Sequence, residues 1–359
     1  MLTERDVVAC LMDRRLMAPS FVVDGDLTVI AASRRHHNFK VLSRKGPSFL
    51  LKQGVGLERS EAIRHEARVY QTLLGPDGDR DFDRYLPRFY GYDESKNLLI
   101  LEFVPEADDL RNRHYRLGRF PSGPAAALGR ALALLHRLKP SPPDGDRENR
   151  AESTRIPWIF FIGRPEMEMF HRMSHANRQL VRIIQKFPEV SDRLHALRRD
   201  WRPEAFIHSD LRWDNCVVAR GSVFKLVDWE LATVGDSCWD LGSVFADYVS
   251  AWILSIPITY DRDPERFPRL ARYPLETMHP AMGAFWKAYV ARSGMADRTA
   301  RECLSRAARF AAVRLLQTAF EHLQTSSQLS GSLIYLLQLS LNILRRPRKA
   351  VVHLLGIAG

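Results

Sequence analysis

The chain has 359 residues, 45% apolar and 26% charged, enough to bury a core without disulfides or structural metals and too balanced for wholesale disorder. Four scattered cysteines (Cys10, Cys216, Cys238, Cys303) exclude a disulfide scaffold and a paired-cysteine zinc site. The net charge is +11, and residues 301–359, with eight basic and two acidic side chains, supply a large share of it, a field that attracts anionic partners. Glu4, Arg5 and Asp6 stand where a signal peptide needs its apolar run, and the apolar run 333–344 is too short to span a bilayer. The expected setting is reduced and cytoplasmic, away from membranes.

In chain order, residues 1–20 read as a leading helix, followed by strands over 27–31, 38–43 and 48–53. Arg44, Lys45, Gly46 and Pro47 mark a hairpin turn between the last two strands. Ile63, Ala67, Tyr70, Leu73 and Leu74 give 58–74 a helical period that Gly75 and Pro76 stop. Strands return at 89–92 and 98–104. Beyond Pro105 the pattern turns helical, over 124–138, 165–187 and 191–201, with a polar loop at 141–155. One β excursion, 206–227, interrupts it, and the chain past Asp240 is helical. The expected fold is α+β, with a mainly β lobe over residues 1–104 and a mainly α lobe over 105–359.

The β excursion carries the chemistry. Residues 216–219 and 223–227 flank Arg220, Gly221 and Ser222, so a hairpin brings Asn215 close to Asp228. An amide oxygen beside a carboxylate is a hard-oxygen site suited to magnesium held with substrate phosphates. Asp210, five residues before Asn215, stands where a carboxylate accepts a proton from an attacking hydroxyl.

His208-Ser209-Asp210, Asn215, and an apolar strand ending in Asp228-Trp229-Glu230 resemble the catalytic loop of protein-kinase-like phosphotransferases, in particular the aminoglycoside-phosphotransferase-like branch. The resemblance implies a bilobal protein-kinase-like fold with ATP and Mg2+ as cofactors. It makes Asp210 the base and Asn215 and Asp228 the metal ligands, and places Arg212 near the γ-phosphate. It asks for a strand lysine paired with a helix glutamate. Lys52 meets the first requirement, and Glu61 or Glu66 the second, with Glu66 fitting the pattern better. Glu102 and Phe103 fall at the hinge, where adenine bonds the backbone. Asp240 matches the buried helix aspartate that supports the loop, and His208 reads as a buttress.

The sequence also departs from that pattern. Ser209 replaces the usual glycine. Residues 31–38 contain no glycine, so backbone amides with Ser33 or Arg34 would have to cradle phosphate. Asp240 follows Asp228 by only twelve positions, too few for a regulated activation segment. Residues 212–216, 228–232, 239–242 and 252–257 further resemble kinase subunits of class V lanthipeptide and thioamitide systems, which imply transfer to Ser or Thr of a precursor peptide. An acidic leader peptide and a partner lyase would then be the partners. The alternatives are a small-molecule hydroxyl kinase, for an aminoglycoside or another metabolite, and a pseudokinase that binds a partner. A +11 chain is a poor electrostatic match for polycationic aminoglycosides, and no nucleic-acid-binding fold accompanies the Arg345–Lys349 run.

Overall fold

The structure, a computed structural model, describes residues 1–32, 37–76, 78–138, 156–257, 268–324 and 328–358. The expected phosphate-cradling Ser33 and the polar loop over 141–155 lie outside the described residues. Two compact units form: Met1–Leu110 with Asp214–Ala232, and Arg111–Trp213 with Thr233–Gly359.

The first unit begins with helix α1 (Glu4–Asp13), opened by a reciprocal cap between Thr3 and Asp6. The helix expected over 1–20 stops there, because Arg15 takes a left-handed φ of 57° and Pro19 lacks an N–H. Next come β1 (Leu27–Ala31), β2 (His37–Ser43), β3 (Phe49–Gln53), helix α2 (Leu57–Leu73), β4 (Phe89–Asp93) and β5 (Leu98–Glu102). Their antiparallel sheet runs β1-β2-β3-β5-β4. Pleat alternation then decides what faces where. Phe49 and Leu51 of β3 pack with Val41 and Ile100 under Val7 and Leu11 of α1, which leaves Lys52 on the opposite face. Helix α2 buries one stripe, Ile63, Glu66, Tyr70 and Leu73, at the spacing of a helix face.

Strands Cys216–Val218 and Phe224–Leu226 pair in register Cys216↔Leu226 around Gly221, whose φ of 71° suits a residue without a Cβ. This hairpin belongs to the first unit although it lies far along the chain. Val217 and Val218 pair with Asp109 and Asp108, the Leu226 N–H donates to the Tyr85 carbonyl at 2.7 Å, and Lys225 Nζ donates to the Leu86 carbonyl at 2.8 Å. The division is therefore not a single cut near residue 105.

The second unit is helical, with α3 (Ser122–Leu135), α4 (His175–Lys186), α5 (Pro188–Arg199), α6 (Ser237–Leu254), α7 (His279–Ser293), α8 (Asp297–Gln324), α9 (Gly331–Arg345) and α10 (Pro347–His353). The helix expected over 165–187 is broken: Met173 is extended, and the Ser174 hydroxyl caps α4 by accepting the Asn177 N–H at 3.0 Å. A short strand pair, Ala205–Ile207 with Thr233–Gly235, brackets the motif. Helix α6 is buried along most of its length, and Trp239 packs with Phe160, Trp201 and Phe310. Gly242 lets α6 approach α8, since a Cβ there would stand 2.7 Å from the Ala311 nitrogen. Among the described residues no helix is long and apolar enough to cross a membrane.

Candidate active site

In the first unit three predicted residues meet at one ammonium. Lys52 Nζ lies 2.9 Å from both carboxylate oxygens of Glu66 and 2.9 Å from Oδ1 of Asp228. Lys52 and Glu66 are buried, whereas the Asp228 side chain is 38% exposed and so presents a face to ligands. Burial alone would lower the lysine, but the two carboxylates outweigh it and hold its pKa above the ordinary value, so it is an ammonium. Glu66 is pushed up by its burial, an effect that Lys52 opposes and Asp228 reinforces. Glu61, the other candidate partner, is exposed.

The hairpin closes as its spacing requires: the Val227 N–H donates to the Asn215 carbonyl at 3.0 Å, one residue before Asp228. Asp228 sits at φ 69°, a left-handed conformation that costs a residue with a Cβ about 1–2 kcal/mol. Its neighbour Trp229 anchors it, being fully buried, edge-on to Phe82, and bonded through Nε1 to the Leu226 carbonyl at 3.2 Å. Asn215 and Asp228 offer an amide oxygen and a carboxylate, the hard donors magnesium takes alongside phosphate oxygens. Among the described residues no group of three or more His, Cys, Asp or Glu could hold a metal alone.

In the second unit Asp240 clamps the motif loop. Its carboxylate is fully buried and accepts the His208 N–H at 2.7 Å and the Ser209 N–H at 3.0 Å. The Trp239 indole donates to the Ser209 carbonyl at 2.7 Å. Ser209 itself has φ 69°, so the position does take the conformation a glycine would adopt without strain. Asp210 follows, with its Oδ1 3.0 Å from Nη2 of Arg314 and 3.5 Å from Nε of Arg212. Arg212 also reaches Glu321 at 2.8 Å, and Glu321 accepts from Gln317 at 2.9 Å. Burial would lower the Arg212 guanidinium, but Asp210 and Glu321 raise it. Burial acts against Glu321's charge too, yet Arg314 and Arg212 prevail and lower its pKa. Beneath the loop the Trp213 N–H donates to Asp247 at 2.6 Å, and burial pushes that carboxyl up to about 6.

Arg314, Gln317 and Glu321 were not singled out from sequence. They stand at i, i+3 and i+7 on α8, and a buried Arg314 amid Phe310, Ala311, Val313 and Leu315 is the available signal, since an arginine there needs a partner. The expected hinge positions are bonded within the first unit. The Glu102 N–H donates to the Arg88 carbonyl at 2.8 Å and the Phe103 N–H to the Ser48 carbonyl at 2.9 Å.

The sequence model of the phosphotransferase enzyme family matches residues 26–281. No curated protein matches. Among solved structures, ethanolamine kinase from Plasmodium vivax aligns at TM-score 0.54 and 14% identity, over 93% of this chain and 86% of its own. A choline/ethanolamine kinase family protein from Mesorhizobium loti aligns at 0.51 and 14%, over 94% and 95%. LicA, in its complex with AMP, aligns at 0.50 and 11%, over 96% and 98%. At such identities the likeness concerns the fold, which is that of protein-kinase-like phosphotransferases.

Proposed function

The chain belongs to the phosphotransferase enzyme family and is a kinase of an alcohol group, and we propose that it moves the γ-phosphoryl group of ATP to that alcohol with magnesium at Asn215 and Asp228. Support comes above all from the Lys52–Glu66–Asp228 cluster, three contacts of 2.9 Å around one buried ammonium. Lys52 positions phosphate oxygens, held in place by Glu66. Magnesium, when bound, neutralises phosphate charge. Asp210 orients the acceptor and takes its proton as the new oxygen–phosphorus bond forms and the bond to the leaving diphosphate breaks. Arg212, which pairs with Asp210 and Glu321, is the further cation proposed for the γ-phosphate.

The acceptor we propose is a Ser or Thr hydroxyl of a peptide with an acidic leader, processed afterwards by a partner lyase. The net charge of +11 is a poor match for a cationic acceptor such as an aminoglycoside, because like charge repels it.

Calorimetry with ATP, with and without magnesium, tests the nucleotide half, and phosphate incorporation into Ser/Thr peptides tests the acceptor half. Asp228→Ala should lose metal-dependent ATP binding, while Asp210→Ala should keep binding and lose turnover. Wild-type turnover by Asp210→Ala would overturn the role of the base. Wild-type chain that binds no ATP would leave a partner-binding pseudokinase.

A further inference from the structure

The N-terminal half of α8, the α9–α10 corner and the segment entering strand Ala205–Ile207 wall a cleft of about 1220 Å3 in the second unit. It is larger than the roughly 300–1,000 Å3 of small-molecule pockets. Its basic side chains fall into two groups. Arg306, Arg298 and Arg345 are held by Asp236, Glu302 and Glu189. Arg202, Arg301, Arg309, Arg346, Arg348 and Lys349 line the same cleft, and none has a carboxylate at ion-pair distance among the described residues. Arg346, Arg348 and Lys349 lie within four residues of one another and are exposed, a concentration of positive charge that attracts an anionic ligand. A 48% exposed Val352 adds an apolar surface beside them. A smaller cavity of about 360 Å3 shares Arg345, Arg346 and Lys349 and prolongs the groove toward His353.

We propose that this cleft docks an acidic, partly apolar segment of the peptide that carries the acceptor hydroxyl, an inference that rests on the peptide reading of the acceptor. Charge complementarity selects an anion, and the remaining features select a peptide. Asp200 and Glu204 stand in the same cleft beside the Arg306–Asp236 and Arg298–Glu302 pairs and interrupt its positive charge, a poor match for the unbroken charge of a nucleic-acid backbone. A chain in which acidic and apolar side chains alternate can meet the cations singly and lay an apolar group on the exposed Val352. Docking here would raise the local concentration of an acceptor tethered to the same chain.

The test is fluorescence anisotropy with the full-length protein and a labelled fourteen-residue peptide alternating Glu with Leu. A Gln-for-Glu version, a single-stranded DNA of similar length and vesicles of anionic lipid serve as competing probes. The acidic peptide should bind, the Gln version about tenfold more weakly, and salt should weaken the complex. Arg301→Glu/Arg348→Glu, at two exposed positions, should weaken it about tenfold or more, and Arg301→Gln/Arg348→Gln by less. Both variants should melt like wild type and retain magnesium-dependent ATP binding. No binding of the acidic peptide, equal binding by the charge-reversed variant, or tighter variant-sensitive binding of DNA or vesicles would each overturn the proposal. Variant-sensitive peptide binding without phosphorylation of any peptide would uphold the cleft and refute the peptide acceptor. Phosphorylation of peptides indifferent to the cleft variants would do the reverse.

Discussion

Glu66→Gln probes the centre of the candidate site. In wild type Lys52 Nζ makes three contacts of 2.9 Å, two of them to Glu66, and both residues are buried. Removing one partner of a buried ion pair costs about 3–5 kcal/mol when the other is left uncompensated. Lys52 retains Asp228, so the expected loss is smaller, about 2–3 kcal/mol. Urea unfolding should show a lower midpoint with an unchanged slope. A cycle with Lys52→Met should give a coupling of about 1.5 kcal/mol or more, because each single change removes the same contacts. Glu61→Gln, on the exposed face of the same helix, is the control and should stay within about 0.5 kcal/mol of wild type. ATP affinity should fall with Glu66→Gln as Lys52 swings toward Asp228. A Glu66→Gln protein as stable as the control, or additive effects in the cycle, would refute the ion-pair reasoning.

Ser209→Gly should be neutral to stabilising by up to about 1 kcal/mol, since relief of the φ 69° strain outweighs the glycine's chain entropy, and a loss beyond 1 kcal/mol in the same assay would contradict that. Gly242→Ala should destabilise by about 1–3 kcal/mol or more, because its methyl meets the α8 backbone at Ala311, and an unchanged melting temperature would show that the helices can separate freely. Asp247 has a folded pKa of about 6 against an ordinary 3.8, so the stability linked to its neutral form is complete below pH 4 and lost as pH rises through 6. The stability of wild type relative to Asp247→Asn should therefore fall between pH 4 and pH 7, by at most about 3 kcal/mol, and a constant difference would refute the burial of its charge.

Much of the fold is written in short-range pattern. The periods over 27–31, 58–74 and 98–104 are set by strand and helix geometry, and the observed elements start and stop within a few residues of them. The Lys52–Glu66 pair is what the motif resemblance asks for, and the hairpin spacing places Asn215 near Asp228, whereas the 2.9 Å contact of Lys52 with Asp228 has no signal in the sequence. Where local breakers compete with a smooth pattern, at Arg15 and at Met173, periodicity overran the helix end. Other features have no local signature. Arg314 meets Asp210 across 104 positions, and Cys238 and Cys303, scattered in sequence, bring their sulfurs to 3.5 Å. The return of the 214–232 hairpin to the first unit depends on Tyr85, Leu86 and Asp109 offering it backbone partners. Each follows from how whole elements dock, and docking is decided by the summed burial of many side chains rather than by the spacing of a few.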